Sequence, residues 1–300
     1  MGYAFVNGKI IREEKAVISI FDRGFVLGDG IFESFRAVKF IPEFFEKHFS
    51  RFARSAEKLL IPIPVSAPEL SQIVKSILIK NKLKDAVVRV TLTRGAYAGD
   101  LSIKQCTPTL VITAKPVKGL SVSLYKNGVD VALSSVKQEM AGGVEPSIKS
   151  LNYLANIVAK AEADNAKCYE ALLLNRRGNL TELSTSNFFC IINDVVLTPR
   201  LSAGILPGVT RDVVLSLLQQ GKSPFKQKTI HKSEIKNMQE AFLTSSIRGI
   251  VPIRKLGTET IGIGAPGPTT QKIRQLYLKS CSQNRLNFKK KAVNSQKSSQ

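Results

Sequence analysis

The sequence predicts an α+β fold in two domains, and three observations support this prediction. Runs of β-forming residues cluster before and between helical segments instead of alternating with them, which is unlike a doubly wound parallel sheet. A chain of 300 residues suits one large domain or two of ordinary size. The stretch PVKG at 116–119 is the best boundary between a smaller N-terminal domain (1–117) and a larger C-terminal domain (118–283).

The N-terminal domain begins with a hairpin signal, because apolar residues flank the Asn-Gly pair in YAFVNGKII. The pattern further predicts strands in AVISI, GIFESFRAV, AVVRVTLTRG and PTLVITAKPV, and helices at 44–60 and from about 68 to 82. We therefore expect a small domain of mixed α/β content.

The C-terminal domain has strands in EALLLN, FFCIIN and VVLTP, and two helices. One helix follows Lys149, and its apolar spacing predicts a buried face formed by Leu151, Leu154, Ala155, Val158 and Ala159. The other begins near Thr210. Residues 284–300 hold five basic residues and no acidic one, which predicts a disordered basic tail.

Composition excludes several classes of protein. Hydrophobic residues make up 43% and charged residues 22%, and no apolar run reaches the roughly 18 residues that a membrane span needs. The net charge is +21, but no nucleic-acid motif accompanies it, so we expect no specific nucleic-acid partner and no membrane. Four scattered cysteines and two histidines predict no metal site, and an N-terminus without a secretory signal indicates the cytoplasm.

A candidate phosphate site lies in ILPGVTRDVVLSLL, residues 205–218. The backbone N–H groups of Gly208, Val209 and Thr210 would be unpaired at the start of a helix, where the positive end of the helix dipole also attracts an anion. The alternative is that Thr210 simply caps this helix.

Two further groups suit the same anion. In FLTSSIRGIVPI, an apolar strand runs into Thr244, Ser245 and Ser246, although an ordinary Ser/Thr turn would explain them equally well. Arg51 could supply the cation, although alone it would be interpreted as a solvated residue.

Glu182 and Lys149 are the candidate catalytic groups. Glu182, in NLTELSTSNFF, lies between two apolar strands, so we expect partial burial and hence a partner for its charge. A protonated ring nitrogen of a bound cofactor would be such a partner. Lys149 precedes an apolar helix and by itself would be interpreted as a surface residue.

Taken together, seven segments resemble the fold-type IV pyridoxal-phosphate enzymes, which include aminotransferases of branched-chain and D-amino acids and aminodeoxychorismate lyases. The matches follow the order of the family from about residue 3 to about residue 278. They are GDGIFESFRA, HFSRFARSAEKL, SIKSLNYLANIVAKAEA, NLTELSTSNFF, LTPRLSAGILPGVTRD, FLTSSIRGIVPI and IGIGAPGPTTQKI.

The resemblance implies a fold like that of D-amino acid aminotransferase, with pyridoxal 5′-phosphate bound by the larger domain, and a homodimer. It implies that Lys149 forms a Schiff base with the cofactor and moves the substrate proton. It also implies that Glu182 keeps the pyridine nitrogen protonated. The remaining cofactor contacts it implies are Tyr153 at the ring oxygen, Leu206 on the ring face, and Arg51, Val209, Thr210, Ser245 and Ser246 at the phosphate.

The substrate side is less clearly defined. Phe32, Arg36 and Leu206 would form an apolar wall, whereas Ile247 and Arg248 stand where branched-chain enzymes carry two alanines, so Arg248 either binds an acidic group or points to solvent. The loop AYAGDL lacks both the Arg-x-His arrangement of D-amino acid transaminases and the arginine usual in the lyases.

We therefore expect an aminotransferase that acts on a branched-chain-like L-amino acid and a 2-oxo acid. The alternatives are a lyase that releases pyruvate from aminodeoxychorismate to give 4-aminobenzoate, and a noncatalytic basic binding protein. Retention of Lys149, Glu182 and the phosphate-binding residues counts against the last.

Overall fold

The chain forms two compact units in a computed structural model that describes residues 2–97, 99, 101–117, 121–138 and 147–297. The first unit comprises Met1–Lys118, Ile148–Asn152 and Cys281–Gln300, and the second comprises Gly119–Ser147 and Tyr153–Ser280. The first unit therefore includes Lys149 and the C-terminal segment. The predicted boundary at 116–119 includes Lys118 and Gly119, which lie outside the described residues.

The sheet of the first unit has six strands, and its described neighbours all pair antiparallel. These strands are β1 (Tyr3–Val6), β2 (Lys9–Arg12), β3 (Gly30–Val38), β4 (Ile41–Pro42), β5 (Ala86–Thr93) and β6 (Thr109–Pro116), and they lie in the order β2-β1-β6-β5-β3-β4. The predicted hairpin is confirmed, because Asn7 and Gly8 turn with φ of 42° and 90°.

The strand expected in AVISI is wrong. Residues 16–20 form no strand, and they lead into the short helix α1 (Arg23–Leu27). Val17 is 76% exposed and Ile20 is 71% exposed, so the apolar residues that suggested a strand do not pack into the sheet of this unit.

Two helices cover the first sheet, as predicted. They are α2 (Phe45–Lys58) and α3 (Ala67–Lys80), and a capping box between Ser66 and Glu69 defines the start of α3. The core between helices and sheet includes Phe35 of β3, Phe52 of α2 and Ile77 of α3, each at most 2% exposed.

The second unit holds a mixed β-sheet of nine strands. They are β7 (Val129–Lys137), β8 (Glu170–Leu174), β9 (Leu180–Leu183), β10 (Asn187–Ile192), β11 (Val195–Pro199), β12 (Phe225–Lys228), β13 (Glu240–Ser245), β14 (Gly249–Leu256) and β15 (Glu259–Thr260). Strand β9 pairs with both β8 and β10, so the path β10-β13-β14-β7-β8-β9 closes into a barrel-like ring. The predicted mixed β domain is confirmed.

The remaining helices are α4 (Val122–Asn127), α5 (Leu154–Asn165), α6 (Val209–Gln220) and α7 (Pro268–Lys297). The predicted buried face of α5 is partly wrong. Leu154 is 72% exposed and Val158 is 44% exposed, whereas Ala159 and Ala163 are fully buried. Small side chains let a helix lie close to a sheet, so here the alanine stripe packs and the larger apolar stripe does not.

The disordered tail expected at 284–300 is also wrong for the described residues, because α7 continues to Lys297. Its C-terminal half is part of the first unit and packs there: Asn284 Oδ1 accepts a hydrogen bond from the backbone N–H of Phe44, and Phe288 packs against the core. The composition of this segment suggested disorder because it has many basic residues and few that pack. The few residues that make these contacts do not stand out in the sequence.

Within the described residues, no helix combines the length and hydropathy required to cross a bilayer. The same part of the chain contains no cluster of three or more histidine, cysteine or acidic side chains that could hold a metal ion. None of the four cysteines, which all lie in the described part of the chain, forms a disulfide bond.

Candidate active site

Lys149 is fixed beside strand β3 in the first unit. The N–H of Phe32 donates to the carbonyl of Lys149 at 2.9 Å, and the N–H of Leu151 donates to the carbonyl of Gly30 at 2.9 Å. The Lys149 amine lies 4.5 Å from the centroid of the Phe32 ring. These backbone bonds place the amine over an aromatic face and hold it on the sheet rather than in open solvent.

Arg89 of β5 lies over the same ring, with its guanidinium carbon 3.8 Å from the Phe32 centroid. Phe32 lies opposite Thr91 in the β3–β5 register, so Arg89, two residues earlier, shares its face of the sheet. Arg89 was not among the residues predicted from the sequence. The alternating pattern of AVVRVTLT places Arg89 on one face of the strand, but only the pairing of β5 with β3 shows that it lies over the Phe32 ring.

The opposite face of β3 carries a buried ion-pair cluster. Arg51 of α2 donates to Glu33 from Nε at 2.7 Å and from NH2 at 2.8 Å, and His48 Nδ1 lies 2.7 Å from Glu33 Oε2. All three side chains are at most 5% exposed. Arg51 is therefore a buried group and not the solvated residue that the helix pattern alone would suggest.

Charge in this cluster determines the protonation of its members. Burial opposes ionisation of Glu33, but the charge of Arg51 and hydrogen bonds from Arg51 and His48 outweigh it and lower the pKa of Glu33 to about 2. Burial also lowers the pKa of His48, and the Arg51 and Lys149 charges add to that effect against the opposing influence of Glu33. Glu33 is thus a carboxylate and His48 is neutral at pH 7.

Arg36 lies further along β3, on the same strand face as Phe32. Its Nε atom is buried and has no hydrogen-bond partner in the structure. An unpaired buried N–H is costly, so this group suits an acceptor supplied by a ligand.

In the second unit, a row of polar residues crosses three neighbouring strands. Glu182 of β9 lies opposite Asn187 of β10, which lies opposite Thr244 of β13. Asn187 and Thr244 are buried and Glu182 is half-buried. The sequence analysis gave no role to Asn187, although a buried amide at the start of an apolar strand is unusual enough to mark it.

Amide groups hold the Glu182 carboxylate in place. Its Oε2 accepts from Asn187 Nδ2 at 3.1 Å and from the Leu206 N–H at 3.1 Å, and Gln138 Nε2 lies 3.5 Å from Oε1. Asn187 Nδ2 also donates to the Leu206 carbonyl at 2.9 Å. Leu206, half-buried, is thereby fixed next to the carboxylate, as an apolar group that could cover a flat ring.

The start of helix α6 is built for an anion. Gly208 occupies the N-cap position and contributes no side chain, so no side chain caps the first N–H groups. The Thr210 hydroxyl is buried without a hydrogen-bond partner. The alternative that Thr210 caps the helix is therefore wrong, since Thr210 is the second residue of α6 and its hydroxyl is left for a ligand.

Gly208 is also required by its surroundings. A Cβ at this position would lie 1.9 Å from Asn187 Oδ1. The absence of a side chain thus lets the helix start approach the residue that also holds Glu182, which couples the anion site to the carboxylate.

A second set of hydroxyls follows strand β13. The buried Thr244 hydroxyl has no hydrogen-bond partner, and half-buried Ser245 and Ser246 lead into the turn before β14. Ser245 Oγ accepts from the Arg248 N–H at 3.2 Å, so Ser245 takes part in the Ser/Thr turn that the sequence analysis weighed as the alternative. Thr244 is the hydroxyl that this turn leaves unpaired.

Arg248 is bound within the second unit by a fully buried carboxylate. Its NH1 pairs with Glu170, which also accepts from the Thr185 hydroxyl at 2.6 Å and the Ser186 hydroxyl at 3.0 Å. Its guanidinium carbon lies 5.0 Å from the Tyr169 ring centroid. Arg248 therefore does not simply point to solvent, and its charge is balanced inside the protein.

The structure thus gathers the predicted residues in two groups, each inside one unit. Phe32, Arg36, Arg51 and Lys149 lie in the first unit. The second unit holds Tyr153, at the N-cap of α5, and the residues from Glu182 to Arg248; these are Glu182, Leu206, Val209, Thr210, Ser245, Ser246, Ile247 and Arg248. Tyr153 and Ile247 are half-buried.

Comparison with known proteins shows the family to which the chain belongs. The family model described as amino-transferase class IV matches residues 30–256. A protein of Methanocaldococcus jannaschii named "putative branched-chain-amino-acid aminotransferase" is 33% identical over 276 residues, covering 91% of this chain and 94% of that protein. The D-alanine aminotransferase of Bacillus licheniformis is 31% identical over 274 residues, covering 89% and 93%.

A solved structure shows the same fold. The branched-chain aminotransferase of Thermoproteus uzoniensis, crystallised with norvaline, superposes with a TM-score of 0.87 at 27% identity, covering 96% of this chain and 97% of that one.

Proposed function

Because this chain belongs to the class IV aminotransferases, enzymes that use pyridoxal 5′-phosphate, we propose that it exchanges an amino group between a branched-chain-like L-amino acid and a 2-oxo acid. The observation that carries the proposal is the arrangement around Asn187. This residue contacts the Glu182 carboxylate and closely approaches the start of helix α6, where the Thr210 hydroxyl is unpaired.

The described residues fit the cofactor. In the second unit we assign its phosphate to the bare N–H groups of Val209 and Thr210, the Thr210 hydroxyl, Ser245 and Ser246, which supply hydrogen-bond donors. From the first unit we assign the guanidinium of Arg51 to the same phosphate, because the family resemblance implies this role and a guanidinium supplies positive charge. We assign the ring oxygen to Tyr153 and the ring face to Leu206.

When bound, pyridoxal phosphate is the electron sink that accepts the electron pair left on Cα after a proton departs. Glu182 would maintain that capacity by accepting a hydrogen bond from the protonated ring nitrogen. The Asn187 amide and the Leu206 N–H both donate to its Oε2 atom and hold the carboxylate in place.

Lys149 is the residue that we assign to proton transfer. As a neutral amine, its Nζ would take the Cα proton of the amino acid and later return a proton to the cofactor side of the reaction. Its main chain is fixed by β3, so the amine has a limited range of positions.

The substrate assignment rests on Phe32, Arg36, Ile247 and Arg248. We assign Phe32 and Ile247 to the substrate side chain, and the buried Nε of Arg36, which needs an acceptor, to the substrate carboxylate. We assign Arg248 to shaping the turn at 245–249, because Glu170 already balances its charge. Apolar side chains in these two roles favour branched-chain amino acids over acidic ones.

We also propose a homodimer. In the first unit, the segment 17–27 exposes a run of large apolar side chains, which are Val17, Ile18, Ile20, Phe21, Phe25, Val26 and Leu27. An exposed apolar patch of this length favours burial against another protein surface, and a second copy of the chain is the simplest occupant. Four cysteines that form no disulfide are consistent with a reducing compartment, and we propose the cytoplasm.

The experiment that tests the function is visible absorption of the purified protein with pyridoxal phosphate, followed by separate additions of L-leucine, L-glutamate, D-alanine and aminodeoxychorismate. We expect L-leucine to convert the lysine-bound cofactor band into the pyridoxamine band, with release of the matching 2-oxo acid. A response to D-alanine alone would show that the enzyme acts on D-amino acids and not on L-amino acids. Pyruvate appearing only from aminodeoxychorismate would replace the transaminase with the lyase.

A further inference from the structure

The C-terminal half of helix α7 makes three contacts with the start of helix α2, all within the first unit. Asn284 Oδ1 accepts from the Phe44 N–H at 2.8 Å, and Arg285 pairs with Glu43. The Phe288 ring meets the Phe45 ring edge-on, with centroids 6.4 Å apart. Phe288 also packs against the hydrophobic core of this unit.

These contacts hold the residue at which helix α2 begins. Phe44, the N-cap residue, adopts a left-handed conformation with φ of 52° and makes no side-chain cap, unlike Ser66 at the start of α3. Such a backbone position is strained for a large side chain, so it depends on its surroundings. Asn284, 240 residues away in the chain, provides the acceptor that fixes it.

The buried acid Glu43, next to the start of α2, also depends on α7 for its counter-charge. Glu43 is 7% exposed, and burial raises the pKa of its carboxyl group against the opposing charges of Arg285 and Arg36. Without Arg285, this acid would lose the cation that pairs with it directly, which is costly for a buried group.

Helix α2 carries the residue that we assign to the cofactor phosphate. Phe45 contacts the Phe35 ring at 6.1 Å between centroids, and Phe35 contacts the His48 ring at 5.2 Å. His48 and Arg51 share Glu33. A continuous set of packed and hydrogen-bonded side chains thus connects α7 to the guanidinium of Arg51.

We propose that residues 281–288 act as a clamp on helix α2, and that Asn284 and Arg285 are positioning residues that set Arg51 for the phosphate of pyridoxal phosphate. This proposal rests on the proposed function, since it takes Arg51 as a phosphate ligand. The basic C-terminal segment then raises the affinity for the cofactor phosphate indirectly, through its contacts with α2. Its basic residues do not contact the phosphate themselves.

The test compares the dissociation constants of pyridoxal 5′-phosphate and of pyridoxal, which lacks the phosphate, for the full-length protein. In the double variant Asn284→Ala/Arg285→Ala, we expect the dissociation constant for pyridoxal phosphate to rise about tenfold and that for pyridoxal to change less than about twofold. Amides of α2 should also exchange hydrogen faster in the cofactor-free protein. The matched control, Asn287→Ala/Lys289→Ala, removes an exposed amide and an exposed charge from the same helix and should behave as wild type.

Arg51→Ala separates the two proposals. If wild type binds pyridoxal phosphate and Arg51→Ala weakens it, but the double variant does not, the clamp is wrong and the proposed function stands. Equal losses for pyridoxal phosphate and pyridoxal would also overturn the clamp, because they indicate general damage. If Arg51→Ala itself binds pyridoxal phosphate as wild type does, the phosphate assignment and the clamp fail together.

Discussion

The side chain of Lys149 contributes little to the fold of the first unit, although its backbone is part of that fold. The hydrogen bond from the Phe32 N–H goes to the Lys149 carbonyl, and the amine rests on the Phe32 ring. Removal of the amine therefore leaves the backbone contacts in place.

For Lys149→Ala we expect a folded protein whose turnover falls by roughly a thousandfold or more, because no other group is assigned to move the Cα proton. Steady-state transamination and circular dichroism measure the two effects. Lys75→Ala, which changes an exposed lysine of α3, should leave both unchanged. Full activity in Lys149→Ala would refute the catalytic assignment.

Glu182 differs from Lys149 because its carboxylate also holds the loop at Leu206. We expect Glu182→Gln to keep binding pyridoxal phosphate while kcat falls by about a hundredfold, since a neutral amide cannot keep the ring nitrogen protonated. Glu182→Ala should add a stability loss of about 1 kcal/mol from the orphaned Leu206 N–H. Near wild-type kinetics in both variants would mean that the ring nitrogen has another partner.

The buried pair of Glu33 and Arg51 predicts a pH dependence of stability. The pKa of Glu33 is about 2 in the folded protein against an ordinary value of 4.5. A lowered carboxyl pKa contributes stability that is fully present above about pH 4.5 and is lost as the pH falls towards 2, a total of about 3 kcal/mol.

In Glu33→Gln, we expect lower stability at pH 7 and a flatter dependence on pH in that window. Urea unfolding at a series of pH values measures both. Glu46→Gln, at an exposed acid of helix α2, the helix that carries Arg51, is the control. Wild-type and Glu33→Gln curves that run parallel through the window would contradict the pKa assignment.

At the scale of the secondary-structure element, the start of helix α6 shows why one position can favour ligand binding at the expense of stability. Its N-cap is Gly208, and the buried Thr210 hydroxyl has no partner. Thr198 of β11 is a useful comparison, because its equally buried hydroxyl donates to the Phe188 carbonyl at 2.8 Å.

We therefore expect opposite effects from the same substitution at these two threonines. Thr210→Val should leave the stability of the cofactor-free protein unchanged or higher by up to about 1 kcal/mol, while the affinity for pyridoxal phosphate falls by about tenfold. Thr198→Val should lose about 1 kcal/mol of stability and keep its affinity. Thermal unfolding and cofactor titration distinguish them, and a Thr210→Val protein with unchanged affinity would remove Thr210 from the phosphate site.

Elements also differ in how well their sequence patterns identify them. Strand β3 and helices α2 and α3 were predictable within two residues, because each has a clear period and α3 has a capping box. The predictions for AVISI and for the apolar stripe of α5 were wrong, because an apolar run indicates burial without indicating which surface buries it. In the described chain, the large apolar side chains of segment 17–27 and the Leu154 face remain exposed.

At the scale of the whole molecule, the segment at 17–27 is the strongest feature that points to a second copy of the chain. We expect Phe25→Glu to shift wild-type dimers to monomers at micromolar concentration, because a charge placed in an apolar interface disfavours association. Sedimentation equilibrium measures the change. Ile79→Glu, at an exposed apolar residue of α3, is the matched control, and a wild-type protein that sediments as a monomer would refute the dimer.

The sequence by itself determined the α+β class, most strands and helices, and the residues that carry the family's motifs, because periodicity, turn chemistry and motif order are properties of neighbouring residues. Only the tertiary structure showed that Asn187 ties Glu182 to the start of α6, that Arg51 shares Glu33 with His48, that Glu170 holds Arg248, and that the C-terminal helix fastens α2. These contacts join residues from 5 to 240 positions apart in the chain. Strand register and helix packing set such contacts, and no local pattern encodes either.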